Sequence, residues 1–290
     1  MKKLFCYGYG YVAEHLVREL RHQDPSWDFV VTTTDRDKLL EIRETGLKAY
    51  LFSDKMPFND PLFAMDGVTH ILISVPPNEE GDVVFKAHAR DILKIPTIQW
   101  IGYLSSTGVY GNRDGDWVDE TAEVRPTSKR GSKRAKAEVQ WLKLRRIAGI
   151  PINIFRLTGI YGPGRSTLDT VRAGNTKRIY KDGHAFNRIH VDDIVSALIA
   201  SMQHPAGNIY NLADDYPAPS HELIDYACQL LGMESPPLIQ YDDDIDMSPM
   251  ARSFYKDNKR IKNDKIKDKL GIKLKYPDYK SGLNAIFDAE

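Results

Sequence analysis

The chain is predicted to be an α/β protein built on a doubly wound parallel sheet with a smaller C-terminal lobe, and three observations predict it. Short apolar runs alternate with amphipathic, helix-spaced stretches from residue 3 to 155. The first run is followed at once by a glycine turn, Gly8-x-Gly10-x-x-Ala13, which opens onto a helical pattern. The run from His70 to Pro77 is almost continuously apolar, as strands buried on both faces are.

Each element follows from local pattern. Residues 4–7 make a first strand and 12–21 an amphipathic helix. Asp24-Pro25-Ser26 is a turn, and 29–33 a second strand. Residues 35–44 form a helix stopped by Gly46, 48–51 a third strand, and 70–77 a fourth that Pro76 and Pro77 end. A helix at 83–93, a strand at 99–104, a helix at 133–147 and a sixth strand at 152–155 complete the alternation. The pattern then loosens into a glycine- and proline-rich loop at 159–164, a helix at 191–203 and a last strand at 208–212 rejoining the sheet. Beyond Asp214, helices at 220–231 and 259–270 sit between polar loops, and the charged stretch 256–275 reads as solvated surface. The expected division is a nucleotide-binding domain over 1–156, completed by about 187–213, and a small lobe from 157–186 and 214–290. There is no internal repeat.

The glycine turn carries the chemistry. Gly8 permits a tight turn, Gly10 lets backbone N–H groups approach a pyrophosphate, and Ala13 lets the helix lie on the strand. Phosphates would sit at the helix N-terminus, where unpaired N–H groups and the dipole favour an anion. The alternative is a glycine turn without a ligand; its place directly between strand and helix argues for the dinucleotide.

At 290 residues and 42% hydrophobic, the chain can bury a full core. Forty basic and forty acidic residues cancel, which removes the global electrostatic case for nucleic acid or an anionic membrane as partner. The basic run 129–136 has no aromatic partners for bases. Cys6 and Cys228 suit buried thiols in a reducing compartment, so a cytoplasmic location is expected. Met1-Lys2-Lys3 resembles the start of a signal segment, but Gly8, Gly10 and Glu14 interrupt the apolar run, so no signal peptide is read. No metal site is expected.

Several separated motifs, taken in order, resemble the extended short-chain dehydrogenase/reductase family, the nucleotide-sugar epimerases and dehydratases, whose sheet is of Rossmann type. They are the glycine turn, Leu104-Ser-Ser-Thr-Gly-Val-Tyr-Gly111, Arg156-Leu-Thr-Gly-Ile-Tyr-Gly-Pro-Gly164, Arg188-Ile-His-Val-Asp-Asp193, Asn208-Ile-Tyr-Asn211 and Lys269-Leu-Gly271 with Gly282-Leu283. The resemblance implies a catalytic hydroxyl at Ser106, by its spacing to Val109-Tyr110-Gly111. It implies cofactor contacts from Gly8, Gly10, Tyr11, Val12 and Ala13, from Thr33, Thr34, Asp35 and Arg36, from Ser74, Val75 and Pro76, and from Arg134. Substrate contacts are expected from Tyr110, Tyr161, Arg165, Arg188 and His190. One departure matters: where the family places Tyr-x-x-x-Lys, this chain has Arg130 and Arg134, in register with Pro126, Gly131 and Glu138. A guanidinium stays protonated, so Arg130 cannot exchange a proton with a substrate hydroxyl, whereas Arg134 can still supply charge to ribose hydroxyls. Tyr110, Tyr161, His190 and the Lys129/Lys133 pair are alternative proton donors, each with a plain structural role as its competing reading.

Thr32-Thr33-Thr34-Asp35-Arg36 stands where such a site chooses its cofactor. Hydroxyls and Arg36 suit the 2′-phosphate of NADP; Asp35 turned inward favours NAD; Asp35 as a helix cap is neutral. The corner leans to NADP. The expected function is an NAD(P)-binding oxidoreductase or epimerase acting on a sugar nucleotide or other small polar substrate, an anion if Arg130 faces the cleft; the alternative is a non-catalytic nucleotide sensor or protein-interaction module. The helices at 83–93 and 133–147 are either a homodimer face or solvent-facing.

Overall fold

The structure, a computed structural model, describes residues 2–290 except 175, 205 and 206; Met1, part of the start read for a leader, lies outside the described residues. In chain order the elements begin β1 (Lys3–Tyr7), α1 (Tyr11–Gln23), β2 (Asp28–Thr33), α2 (Arg36–Glu44), β3 (Lys48–Leu51), α3 (Pro61–Ala64), β4 (His70–Ile73), α4 (Val83–Ile92) and β5 (Trp100–Ser106). After one 3₁₀ turn (Thr107–Tyr110) come β6 (Trp117–Val118), α5 (Lys129–Ala148), β7 (Ile152–Leu157), β8 (Gly159–Tyr161), α6 (Thr167–Arg172), β9 (Arg178–Tyr180), β10 (Arg188–His190), α7 (Val191–Met202) and β11 (Ile209–Leu212). The rest is α8 (Ser220–Leu231), β12 (Leu238–Gln240), α9 (Pro249–Lys256), β13 (Arg260–Ile261), α10 (Asp264–Leu270) and α11 (Tyr279–Asp288).

The main sheet has seven strands in the order β11-β7-β5-β4-β1-β2-β3. Phe5 lies beside Val30 on one side and Ile71 on the other, and all the pairs from β3 to β5 are parallel. The chain builds outward from β1 to β3, then returns to lay β4 on the other side of β1. That reversal makes the carboxyl ends of β1 and β4 the place where such sheets bind ligands.

The chain divides into two compact units. The first comprises residues 1–106, 129–156 and 195–210, the second 107–128, 157–194 and 211–290. In the first unit Phe5, Tyr7, Ile71, Ile73, Ile101, Tyr103 and Trp141 form one buried cluster. Beneath it, the imidazole Nε2 of His88 accepts from the Phe58 N–H at 3.3 Å, so Nδ1 carries the proton and meets Tyr7 Oη at 2.9 Å. The second unit has its own core, in which Leu168 and Val171 of α6 and Leu223 and Ala227 of α8 pack with Leu283 and Ile286 of α11. No helix among the described residues is long and apolar enough to cross a membrane.

Three expectations are corrected in the second unit. Residues 259–270 are not one helix: Arg260–Ile261 pairs in parallel with Trp117–Val118, and a helix begins only at Asp264. The side chain of Asn263 donates to the Ala213 carbonyl and to Asp215, which holds the break between the two elements. Nor is 256–275 solvated surface, since Lys259, Ile261, Asn263, Ile266, Leu270 and Leu274 are all buried. The loop at 159–164 opens as a strand, with Ile160 beside Ile189 of β10. In each case the partner is remote in sequence, where local pattern does not reach.

Asp82 supplies a test of the first unit. It caps α4, accepting from the Phe85 N–H at 2.7 Å, and is 1% exposed; burial pushes its carboxyl up to about 6. A folded-state value above the ordinary one means that this group's contribution to stability is full at acid pH and is lost as pH rises through about 6. Asp82→Asn keeps a capping oxygen and removes the titration. Denaturant unfolding should therefore show the variant gaining about 2–3 kcal/mol on the wild type between pH 4 and 7.5; parallel curves would refute the assignment.

Candidate nucleotide-binding site

The turn after β1 is fastened from two neighbouring strands. Gly8 has φ +90°, and a Cβ there would lie 2.8 Å from Ser74 Oγ and 3.1 Å from Val75 Cγ1. Only glycine fits both the dihedral and the space. Its N–H donates to Thr32 Oγ1 at 2.8 Å, and the Tyr9 N–H donates to the Thr32 carbonyl at the same distance. From β4, the Ser74 hydroxyl lies 2.8 Å from the Gly8 carbonyl and 3.1 Å from that of Tyr7. This role of Thr32 escaped the sequence reading, which counted its hydroxyl with those of Thr33 and Thr34 as suited to a 2′-phosphate. Thr32 is 1% exposed, whereas Thr33 and Thr34 are more open, and its partner lies 24 residues earlier in the chain.

Gly10 differs from Gly8. It is the N-cap of α1 with ordinary extended dihedrals, and a Cβ built on it would meet no atom within 4 Å. Having no side chain, it caps none of the first-turn N–H groups, so the positive end of a 13-residue helix opens onto space at the sheet's reversal point. Val12 and Ala13 are buried, and the Tyr11 ring lies 4.4 Å from that of His15, tilted by 53°. The residues present fit a dinucleotide pyrophosphate: the cradle is the volume a side chain at position 10 would fill.

At the end of β2, Asp35 takes the capping role, accepting from the Asp37 and Lys38 N–H groups at 2.8 and 3.1 Å. Thr33 Oγ1 accepts from the Asp35 N–H at 3.2 Å, and Thr34 and Arg36 are exposed. Past β4, Ser74 and Val75 are half-buried and Pro76 exposed.

Ser106 closes β5, half-buried. On α5, Arg134 donates from Nη1 to the Leu104 carbonyl, and its guanidinium sits 6.0 Å over the Tyr103 ring. Arg130, one turn earlier, is exposed, and Lys133 pairs with Glu79 at 2.8 Å. The helix itself is anchored by Glu138, which receives Arg156 at 2.8 Å and the Ser105 hydroxyl at 2.6 Å, all of them buried.

In the second unit, three of the five expected substrate residues, Tyr161, Arg165 and Arg188, line one cavity of about 410 Å³. The other two do not line it. Tyr110 is buried and donates to Asn211 Oδ1 at 2.7 Å; His190 is buried, and its Nδ1 accepts from the Asp192 N–H at 3.1 Å, which leaves the ring proton on Nε2.

Residues 88–213 match the model of the NAD dependent epimerase/dehydratase family. A solved structure from Silicibacter pomeroyi, of a conserved protein of unknown function, is 43% identical with a TM-score of 0.89 and covers 100% of both chains. The family match marks the segment 88–213 as an NAD dependent epimerase/dehydratase domain. It carries Ser106, Arg130, Arg134 and His190, and the glycine turn precedes it. Protein YeeZ of Escherichia coli K12 is 28% identical over 295 residues, 96% of this chain and 97% of that protein. Two more distant structures share the epimerase/dehydratase fold, each at 16% identity over 99% of this chain and 96% of the other. They are a dTDP-glucose 4,6-dehydratase from Bacillus anthracis and a UDP-glucuronic acid 4-epimerase from Bacillus cereus, both in complex with NAD, with TM-scores of 0.79 and 0.78.

Proposed function

We propose that this chain binds NAD at the glycine turn and acts as an oxidoreductase of epimerase type on a small polar, anionic substrate, a sugar nucleotide or a smaller molecule. The observation that carries the reading is Gly10: an uncapped helix N-terminus beside open space, at the reversal point of the sheet, following a turn fastened to Thr32 and Ser74. NAD, when bound, supplies reversible hydride transfer. The chain's own part is to bind and orient. First-turn N–H groups of α1 hold the phosphates, Thr33 and Thr34 lie toward the adenosine ribose, and the Ser106 hydroxyl polarises a substrate carbonyl. Asp35 is taken up as the cap of α2 and leaves the corner neutral, and the Bacillus neighbours were solved with NAD, which supports NAD over NADP.

Proton transfer is where this chain departs from the family pattern. Arg130 stays protonated and exposed, and Arg134 is committed to a β5 carbonyl. That observation favours a second reading, in which the protein senses its nucleotide without turning a substrate over. Nucleotide-free protein titrated with NADH and NADPH, read by nicotinamide fluorescence and thermal stability together, tests the shared part. Micromolar NADH binding with weaker NADPH is expected; tighter NADPH would assign Arg36 to a 2′-phosphate, and binding of neither would end both readings. Arg130→Tyr then separates them: restored turnover of a bound substrate identifies the missing phenol as the lesion.

A further inference from the structure

We infer that the second unit holds a site for a small carboxylate carried on an apolar or aromatic body, recognised by Arg188. This deepens the reading above, resting on the second unit as the substrate-binding part. The cavity of about 410 Å³ has room for about a dozen water-sized groups, too few for a whole nucleotide sugar. Most of its exposed wall is apolar, from Ile160 and Tyr161 of β8, Leu223 of α8 and Tyr279 and Leu283 of α11, while the start of α6 adds hydroxyls from Ser166 and Thr167.

Arg188 is the cation set into that wall. Its Nη1 donates to the Phe186 and Ala218 carbonyls, each at 3.0 Å, which fixes the guanidinium in place. Among the described residues it forms no ion pair, although burial pulls its pKa down to about 10. The carboxylate nearest in effect is Asp214; burial pushes that carboxyl well above its ordinary range, Arg188 draws it back down, and the two form no ion pair among the described residues. Asp169, the acid in the cavity lining, spends Oδ2 on the Ser166 N–H and hydroxyl in the cap of α6. Arg165 adds positive charge to the lining. An unpaired guanidinium in a mostly apolar wall costs free energy that an anionic ligand returns, and a planar fork matches a carboxylate. Tyr161 and Tyr279 put aromatic side chains in the lining beside the body of the ligand.

The test uses the intact protein, with benzoate, its neutral isostere benzamide and inorganic phosphate as probes, followed by calorimetry and melting temperature. Benzoate is expected to bind one per chain and benzamide far more weakly. Arg188→Met should cut benzoate affinity by about 30-fold or more. That variant should fold, because the Phe186 and Ala218 carbonyls still accept from each other's N–H at 3.1 and 3.0 Å, and its unliganded melting temperature should hold or rise. Thr170→Trp, an exposed lining position, closes the cavity with Arg188 untouched and should also abolish benzoate binding. Equal binding of benzoate and benzamide, full benzoate binding by Arg188→Met, or binding of phosphate alone each overturns the assignment. NADH titration of Arg188→Met keeps the two readings apart: unchanged NADH binding with lost benzoate supports this site, and retained benzoate binding without any NADH binding sinks the nucleotide reading while leaving this one standing.

Discussion

Gly10→Asp should abolish nucleotide binding while leaving the fold intact. The position has ordinary extended dihedrals and open space around its Cβ direction, so the protein itself has no objection to a side chain. Aspartate is a better N-cap than glycine, by on the order of a few tenths of a kcal/mol, so the melting temperature should hold or rise slightly. The same carboxylate occupies the helix N–H groups and sets a negative charge where the pyrophosphate must lie. NADH affinity should fall by about 100-fold or more. Gly8→Ala gives the contrast. There φ is +90° and the new methyl would lie 2.8 Å from Ser74 Oγ, so stability should drop by about 1–2 kcal/mol before binding is considered. If Gly10→Asp melts like the wild type and still binds NADH, the space at position 10 is not the phosphate cradle.

Glu138→Ala should be the most damaging single change in the first unit. Arg156 meets Glu138 through Nη2 at 2.8 Å and Nε at 3.1 Å, and both residues are 2% exposed. Removing the carboxylate strands a buried guanidinium and takes the acceptor from the Ser105 hydroxyl, at an expected loss of about 3–5 kcal/mol. The double replacement Glu138→Leu with Arg156→Met removes both charges and should recover more than half of that loss. Urea unfolding of the three proteins decides it; equal losses in the single and double variants would mean that packing, not the stranded charge, sets the cost.

What was legible in the sequence was local. The strand–turn–helix at Gly8 to Ala13 announces itself through glycine spacing and the switch from apolar run to helical period, and α8 begins and ends where its pattern does, at Ser220 and Leu231. Asp35 as a cap is also a short-range event, one side chain meeting N–H groups two and three residues on. The roles of Thr32 and Ser74 in bracing the glycine turn were not legible, because each contact spans 24 or 66 residues. The same holds for β13: Arg260-Ile261 looks helical among its charged neighbours and becomes a strand only beside Trp117-Val118. Charge misled there as well. Lys259 reads as solvated, yet it is 7% exposed and pairs with Asp257 at 3.7 Å. Arg165 and Arg188 were identified singly, but their sharing of one cavity depends on how β8, β10 and α11 assemble.

The division of the chain sets an order of events during synthesis. Residues of the first unit end at 210, so every strand and helix it needs is synthesised before α8 to α11. The second unit gathers three separated segments, and its core waits for Leu283 and Ile286 of α11. Within its earliest piece, 107–128, the strand Trp117–Val118 has no β partner until Arg260–Ile261 is made more than a hundred residues later. Closing loops of that length is slow compared with forming local helices, so the second unit is the late-folding half of the molecule and the half exposed to aggregation or proteolysis on a stalled or truncated chain.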